Sequence, residues 1–193
     1  METPTSSIEL IDDTTVDNLV RAALFAAITG AFAYVAFPYP LSPAPVTLQV
    51  LGVLLAGLML GPVWGAGAMI LYLVAGAFGA PIFSMGTAGI GAIVSEQGGY
   101  LLAFPVAAAV TGLVAHGVRR PVRLADRRPS RLVLAMVAGV SIIYLGGVLG
   151  MMIVLSIGLR EALVIGALVF VPAEITKMVA ALGIVKSDRL TAV

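Results

Sequence analysis

Long apolar runs, punctuated by glycine, proline and arginine rather than by polar stretches, constrain this chain more than any other feature. An apolar stretch of roughly 20 residues matches the thickness of a bilayer core. The first runs from about Leu19 to Phe37 and stops at Pro38-Tyr39-Pro40, since proline removes a helical N–H and clashes with the preceding turn. A second covers about Val46 to Leu60, a tight Gly61-Pro62 turn follows, and a third covers about Val63 to Phe78. A broken, glycine-rich stretch, Gly79 to Gly99, separates these from a fourth run, Tyr100 to His116, and a fifth, Leu132 to Ile157. The last third is expected to form a short, partly inserted segment to Val171 and a final helix with Pro172 in its first turn, where proline is tolerated.

Only 11% of the 193 residues are charged and the mean hydropathy is +1.09, against roughly 25% charge in soluble domains. So few charges cannot cover a water-facing surface of this size. The expected fold is therefore an all-α integral membrane protein of six transmembrane helices, with a Gly-rich outer loop between helices 3 and 4. Residues 1–18, acidic through Glu2, Glu9, Asp12, Asp13 and Asp17, read as a flexible tail, and residues 19–193 as one transmembrane substrate-binding domain. That start is not a secretory signal, which needs a basic beginning.

Orientation follows from residues 117–131, where Arg119, Arg120, Arg123, Arg127, Arg128 and Arg131 face a single acid, Asp126. Short arginine-rich loops stay cytoplasmic. With six spans both termini are then cytoplasmic, and the proline-rich loop, the Gly-rich stretch and the Pro172 region share the outer side.

Two residues on that side are costly in lipid. Glu174 and Lys177 stand three apart and so share a helix face, and a mid-membrane charge costs ~2.5–3.5 kcal/mol on insertion scales. A mutual ion pair that only lets the helix insert is one reading. The other is a site, because intramembrane charges usually face a cavity or a partner. A carboxylate acceptor beside an ammonium donor is complementary to a cyclic urea, with its two N–H groups and one carbonyl.

The Gly-rich stretch contains Phe83, Gly86 and Gly89. Non-helical backbone at membrane depth survives where it is buried in protein or lines a cavity; an ordinary outer loop is the alternative. Tyr100 reads as an interfacial anchor or a stacking surface for a ligand. Thr47 and Gln49 could hydrogen-bond a ligand or cap a helix. Gly57-Gly61, Gly61-Gly65 and Gly146-Gly150 have the spacing of close helix packing, within the chain or with another protein.

Several activities lack their residues. No phosphate-loop frame is present, and Val185-Lys186-Ser187 has no glycine frame around it. One histidine, His116, and no cysteine make no zinc cluster. The serines lack a nucleophile setting. Anionic headgroups explain the arginine loop better than nucleic acid does. The chain reads as a binder rather than an enzyme, with no cofactor.

Three segments resemble the BioY family, the biotin-specific substrate-binding (S) components of energy-coupling factor (ECF) transporters. They are Pro45-Val46-Thr47-Leu48-Gln49-Val50-Leu51-Gly52 with its continuation to Pro62; Gly76-Ala77-Phe78-Gly79-Ala80-Pro81-Ile82-Phe83 leading to Gly98-Gly99-Tyr100; and Pro172-Ala173-Glu174-Ile175-Thr176-Lys177. The resemblance extends from about Arg21 over nearly the whole chain. It implies six helices around a biotin site near the outer face, with Glu174 and Lys177 on the ureido ring. It also implies that Ala22, Ala23, Ala26 and Ala27 dock on a transmembrane coupling subunit, which works with two ATPase subunits. Two departures stand out. Family members usually carry aspartate at the acidic position, and Ser95-Glu96-Gln97 replaces the common Gly-Pro-Thr before Gly-Gly-Tyr. An S-component for another vitamin, or a proton-coupled carrier using Glu174, are the alternative readings.

Overall fold

The computed structural model describes residues 13–117 and 123–187; most of the expected acidic tail, together with Arg119 and Arg120, falls outside them. Helix α1 spans Asp13–Ala33. It begins six residues before the expected Leu19, with Asp13 in the first turn, where the helix dipole favours a negative charge. It also ends earlier than the expected Phe37. Phe37 precedes Pro38, which disfavours the helical region for its neighbour. Accordingly Ala36–Phe37 (β1) runs extended and pairs antiparallel with Val46–Thr47 (β2) across the proline-rich loop.

The second and third expected spans form one assigned helix, α2, Gln49–Ala77. Inside it Gly61 adopts φ 77°, ψ −174°, which no helix contains, and Pro62 follows. Only glycine reaches that backbone region without strain. The chain doubles back there. A Cβ placed on Gly65 would lie 2.9 Å from the Cα of Gly57, although eight residues of straight helix rise about 12 Å. Gln49 likewise reaches Tyr72, its Nε2 donating to the phenol oxygen at 2.6 Å. The two arms of α2 therefore lie side by side.

Between α2 and the next long helix the Gly-rich stretch is not featureless. It holds a 3-10 turn, Ser84–Gly86, and a single helical turn, α3, Ile90–Ile93. Helix α4 covers Gly98–His116 and stops at Gly117, whose positive φ lets its N–H bond back to Leu113 O at 2.7 Å. Helix α5, Pro129–Leu155, starts three residues before the expected Leu132 with proline in its first turn and ends at Ser156 in the left-handed conformation. A short α6, Leu159–Gly166, a 3-10 turn, Leu168–Phe170, and α7, Val171–Lys186, complete the described chain. Pro172 lies in the first turn of α7, the position expected for it.

Five helical stretches, 13–33, 49–77, 98–116, 129–155 and 159–186, are long and apolar enough to cross a membrane. α2 is the centre of the bundle and far more buried than α1, which lies at its edge. It packs on α1, α4 and α7, and α5 packs on α4, α6 and α7. Lipid tails are as apolar as leucine, so association depends on close backbone approach. The glycines provide it. Any side chain at Gly99 would run into the backbone of Gly146 and Gly150, and one at Gly57 into that of Ala108. The GxxxG spacings are thus used within the chain.

The end of the bundle carrying the arginine loop is stitched by cations and His116. His116 Nε2 donates to Leu58 O at 2.6 Å, Arg131 Nε to Val114 O at 2.8 Å, and Lys186 Nζ to the carbonyls of Ala125 and Arg127. Carbonyls at helix ends and turns lack intrahelical partners, and side chains of this kind can satisfy them.

Candidate ligand-binding site

At the opposite end from those cations the helices leave a half-open cavity walled by apolar and aromatic side chains with a few polar groups among them, the make-up usual for small-molecule sites. The start of α2 and the segment leading into it contribute Ala44, Pro45, Val46, Thr47, Gln49 and Val50. The loop into α4 and α4 itself add Ser84, Gln97, Tyr100, Leu101 and Phe104. α5 adds Ile143 and Tyr144, and Phe170, Glu174 and Lys177 close the wall.

Helix α7 carries the charges because its first turn is fixed by Pro172 and the 3-10 turn before it. One helical turn separates Glu174 from Lys177, and both are buried, at 3% and 5% exposure. Lys177 Nζ donates to Glu174 Oε1 at 2.6 Å. The hydroxyl of Tyr144, arriving from α5, donates to the same oxygen at 2.8 Å. Glu174 Oε2 is buried with no partner within the protein. An ammonium has three N–H donors, and Glu174 occupies one. The pair therefore presents one carboxylate oxygen and further N–H donors to whatever enters.

An aromatic wall stands beside it. The Tyr144 ring stacks on Phe170 (5.9 Å, 27°) and meets Tyr100 edge-on (5.9 Å, 87°), while Tyr39 tilts against Phe170 at 5.8 Å. Tyr100 donates its hydroxyl to Gly166 O at 2.6 Å, and its ring occupies the space that a side chain at Gly147 would fill. Its phenol group is thus committed within the protein, and what it offers the cavity is ring surface.

Thr47 and Gln49 belong to a chain of hydrogen bonds. Thr47 Oγ1 accepts from Gln49 N at 3.3 Å and donates to Gln49 Oε1 at 2.9 Å. Gln49 Nε2 donates to Tyr72, whose hydroxyl donates to Ile82 O at 2.8 Å. The series binds the opening of α2 to the Gly-rich loop.

Of the expected ligand contacts, Glu174, Lys177, Tyr100, Thr47 and Gln49 share the cavity wall, whereas Phe83, Gly86 and Gly89 do not. Phe83 is fully buried and its ring fills the space over Gly76. Gly86 lies against the Tyr34 ring, and Gly89 donates its N–H to Gly76 O at 2.7 Å. These three shape the loop. The expected docking alanines divide as well: Ala22 and Ala26 are buried in the chain's own core, and only Ala23 and Ala27 face outward. Tyr144, Phe170, Ser84 and Gln97 are wall residues that the sequence reading did not select. A lone tyrosine in the middle of the fifth apolar run was the available signal, since a buried phenol normally finds a partner. Among the described residues no group of three His, Cys, Asp or Glu side chains could hold a metal.

A bundle of apolar helices enclosing a half-open cavity, with a buried charged pair whose bonding capacity is incompletely used, defines a membrane-embedded small-molecule binding protein. The chain belongs to the BioY family, whose family profile matches residues 4–191. It is 35% identical over 168 residues to the probable biotin transporter BioY of Pyrococcus horikoshii, covering 87% of this chain and 92% of that protein. It is also 35% identical over 171 residues to the biotin transporter BioY of Rhizobium etli, covering 85% and 88%. The fold is similar to the crystal structure of the S-component for biotin from an ECF-type ABC transporter, with a TM-score of 0.82 over 94% of each chain at 23% identity. Family and apolar helices together make this a multi-pass membrane protein.

Proposed function

We propose that this chain captures biotin as the S-component of an ECF-type vitamin importer. The observation that carries the reading is the incomplete bonding of the Glu174–Lys177 pair. Glu174 Oε2 accepts an N–H of the ureido ring and Lys177 donates to the ureido carbonyl. The bicycle lies against the Tyr100–Tyr144–Phe170 wall, with Thr47 and Gln49 fixing the floor. The names of the relatives from P. horikoshii and R. etli support biotin as the ligand. Phe83, Gly86 and Gly89 serve binding indirectly, by holding the Gly-rich loop in shape.

In the bilayer the bundle has six transmembrane helices: α1, the two arms of α2, α4, α5 and the α6–α7 unit. This is one domain over residues 19–193, with residues 1–18 as an acidic tail whose last six residues form the start of α1. Both termini lie in the cytoplasm and the cavity opens outward, in keeping with Arg123, Arg127, Arg128 and Arg131 at the far end. The partners are the transmembrane coupling subunit, met through the outward Ala23 and Ala27, and two ATPase subunits that supply energy.

Calorimetry of biotin binding to the purified protein in detergent tests this directly, for wild type, Glu174→Ala and Lys177→Ala. Wild-type binding that weakens by ~2–5 kcal/mol in each variant, the cost of leaving one member of a buried charged pair alone, supports it. A folded wild type that ignores biotin overturns it, and binding of another vitamin from a panel would then identify the ligand.

A further inference from the structure

The cavity holds a second polar atom without a partner within the protein. Ser84 is 5% exposed and lines the cavity, and its Oγ makes no hydrogen bond to any other residue. Its surroundings are held firmly nonetheless. Both the N–H and the hydroxyl of Thr87 donate to Ser84 O, at 3.2 and 3.0 Å, and Phe83 N donates to Thr87 O at 3.0 Å. Phe83, the residue before it, is locked over Gly76. The loop therefore fixes the Ser84 backbone and leaves the hydroxyl unspent, whereas buried hydroxyls ordinarily find partners.

Its position adds meaning. α4 and α7 both pack on α2 and α5, and both contribute to the cavity wall. Ser84 belongs to the 3-10 turn between α2 and α3, which packs on α1, and Gln97 directly precedes α4, so both reach the wall from elements other than the helix that carries the charged pair. The charged residues of the wall are Glu174 and Lys177, and they are paired with each other. Ser84 and Gln97 are neutral hydrogen-bonding groups.

We propose that Ser84 Oγ hydrogen-bonds the polar end of the ligand's tail, and that a carboxylate and a carboxamide there are accepted alike because a neutral hydroxyl rather than a cation reads them. The proposal rests on the biotin reading above and refines its specificity.

The test is calorimetry on the purified full chain, wild type and Ser84→Ala, with three probes: biotin, biotin amide, and a biotin analogue whose side chain ends in a methyl group. Ser84→Ala removes an oxygen that bonds nothing in the protein, so folding, followed by thermal unfolding in detergent, is expected to be unchanged. Wild type should bind biotin and its amide within about tenfold of each other, and Ser84→Ala should weaken the amide by about 3–10-fold, as for one neutral hydrogen bond, and biotin by about 10–100-fold, as for one to a charged acceptor, while leaving the methyl analogue unaffected. Equal biotin affinity in wild type and Ser84→Ala overturns the contact. Rejection of the amide by wild type by more than about 100-fold overturns the neutral reading of the tail. Both results leave biotin standing as the ligand; absence of all binding by folded wild type removes the biotin reading and this refinement together.

Discussion

Tyr144 and Glu174, thirty residues apart and on different helices, meet through a hydrogen bond of 2.8 Å from the phenol to Oε1. Because Lys177 uses that same oxygen, the two donors together turn the carboxylate so that its other oxygen is left for a ligand. Tyr144 is in this sense a positioning residue, and its effect is separable from that of the charges.

Tyr144→Phe keeps the ring that stacks on Phe170 and removes only the donor. Because the lost bond orients the carboxylate rather than touching the ligand, biotin affinity should fall by about 3–10-fold, the scale of one ordinary hydrogen bond. Thermal unfolding should change little. Calorimetry with both proteins checks the first statement and a melting curve the second; an unaltered affinity would show that Lys177 alone orients the carboxylate.

The ion pair makes a different prediction. Removing one partner leaves a buried charge uncompensated, which costs about 3–5 kcal/mol. Glu174→Gln and Lys177→Met should each lower thermal stability, and the double variant should recover most of the loss because no lone charge remains. Biotin binding should stay lost in the double variant. Recovery of binding together with stability would mean that the pair serves folding alone.

Glycine at position 99 is predicted to be irreplaceable. A Cβ there meets the backbone of Gly146 and Gly150, and backbone cannot rotate aside as a side chain can. Gly99→Ala should therefore part α4 from α5 and destabilise by about 1–3 kcal/mol. Gly67, where a Cβ meets nothing within 4 Å, is the control: Gly67→Ala should be neutral or slightly stabilising, since alanine is the better helix former.

Topology can be read without removing any native thiol, because the chain contains no cysteine. Leu41→Cys, in the exposed loop between β1 and β2, should react with a membrane-impermeant maleimide on intact cells. Ser130→Cys, exposed at the start of α5, should react only after permeabilisation. The reverse pattern would invert the orientation.

The parts of the fold legible in the sequence are those with local causes. Gly61-Pro62 announces a reversal because few residues accept that backbone. Pro172 marks a helix start, and the arginine loop marks a bundle end. Boundaries shifted where a neighbour rather than the residue itself decides, as when Pro38 drew Ala36 and Phe37 out of the first helix into a strand pair. The charged pair was legible because both members sit on one helix at a spacing that sequence displays. Tyr144, Ser84 and Gln97 were not, since Tyr144 finds Glu174 thirty residues away on another helix, and Ser84 and Gln97 reach the cavity wall only once the loop between α2 and α4 has folded against the bundle. Phe83, Gly86 and Gly89 carried a conspicuous pattern, but the pattern reflects how the loop is built: Phe83 plugs Gly76, and the glycines turn the backbone.

The placement of Glu174 and Lys177 on a single helix has a mechanical consequence. Were the charges on separate helices, any widening of the cavity would have to pull opposite charges apart in a medium that screens them poorly. With both on α7, that helix can shift or rotate as a rigid strut and carry its dipolar cargo intact. The tether that α7's carboxylate makes to another helix is the Tyr144 hydroxyl, a single hydrogen bond whose loss would leave the charged pair itself intact.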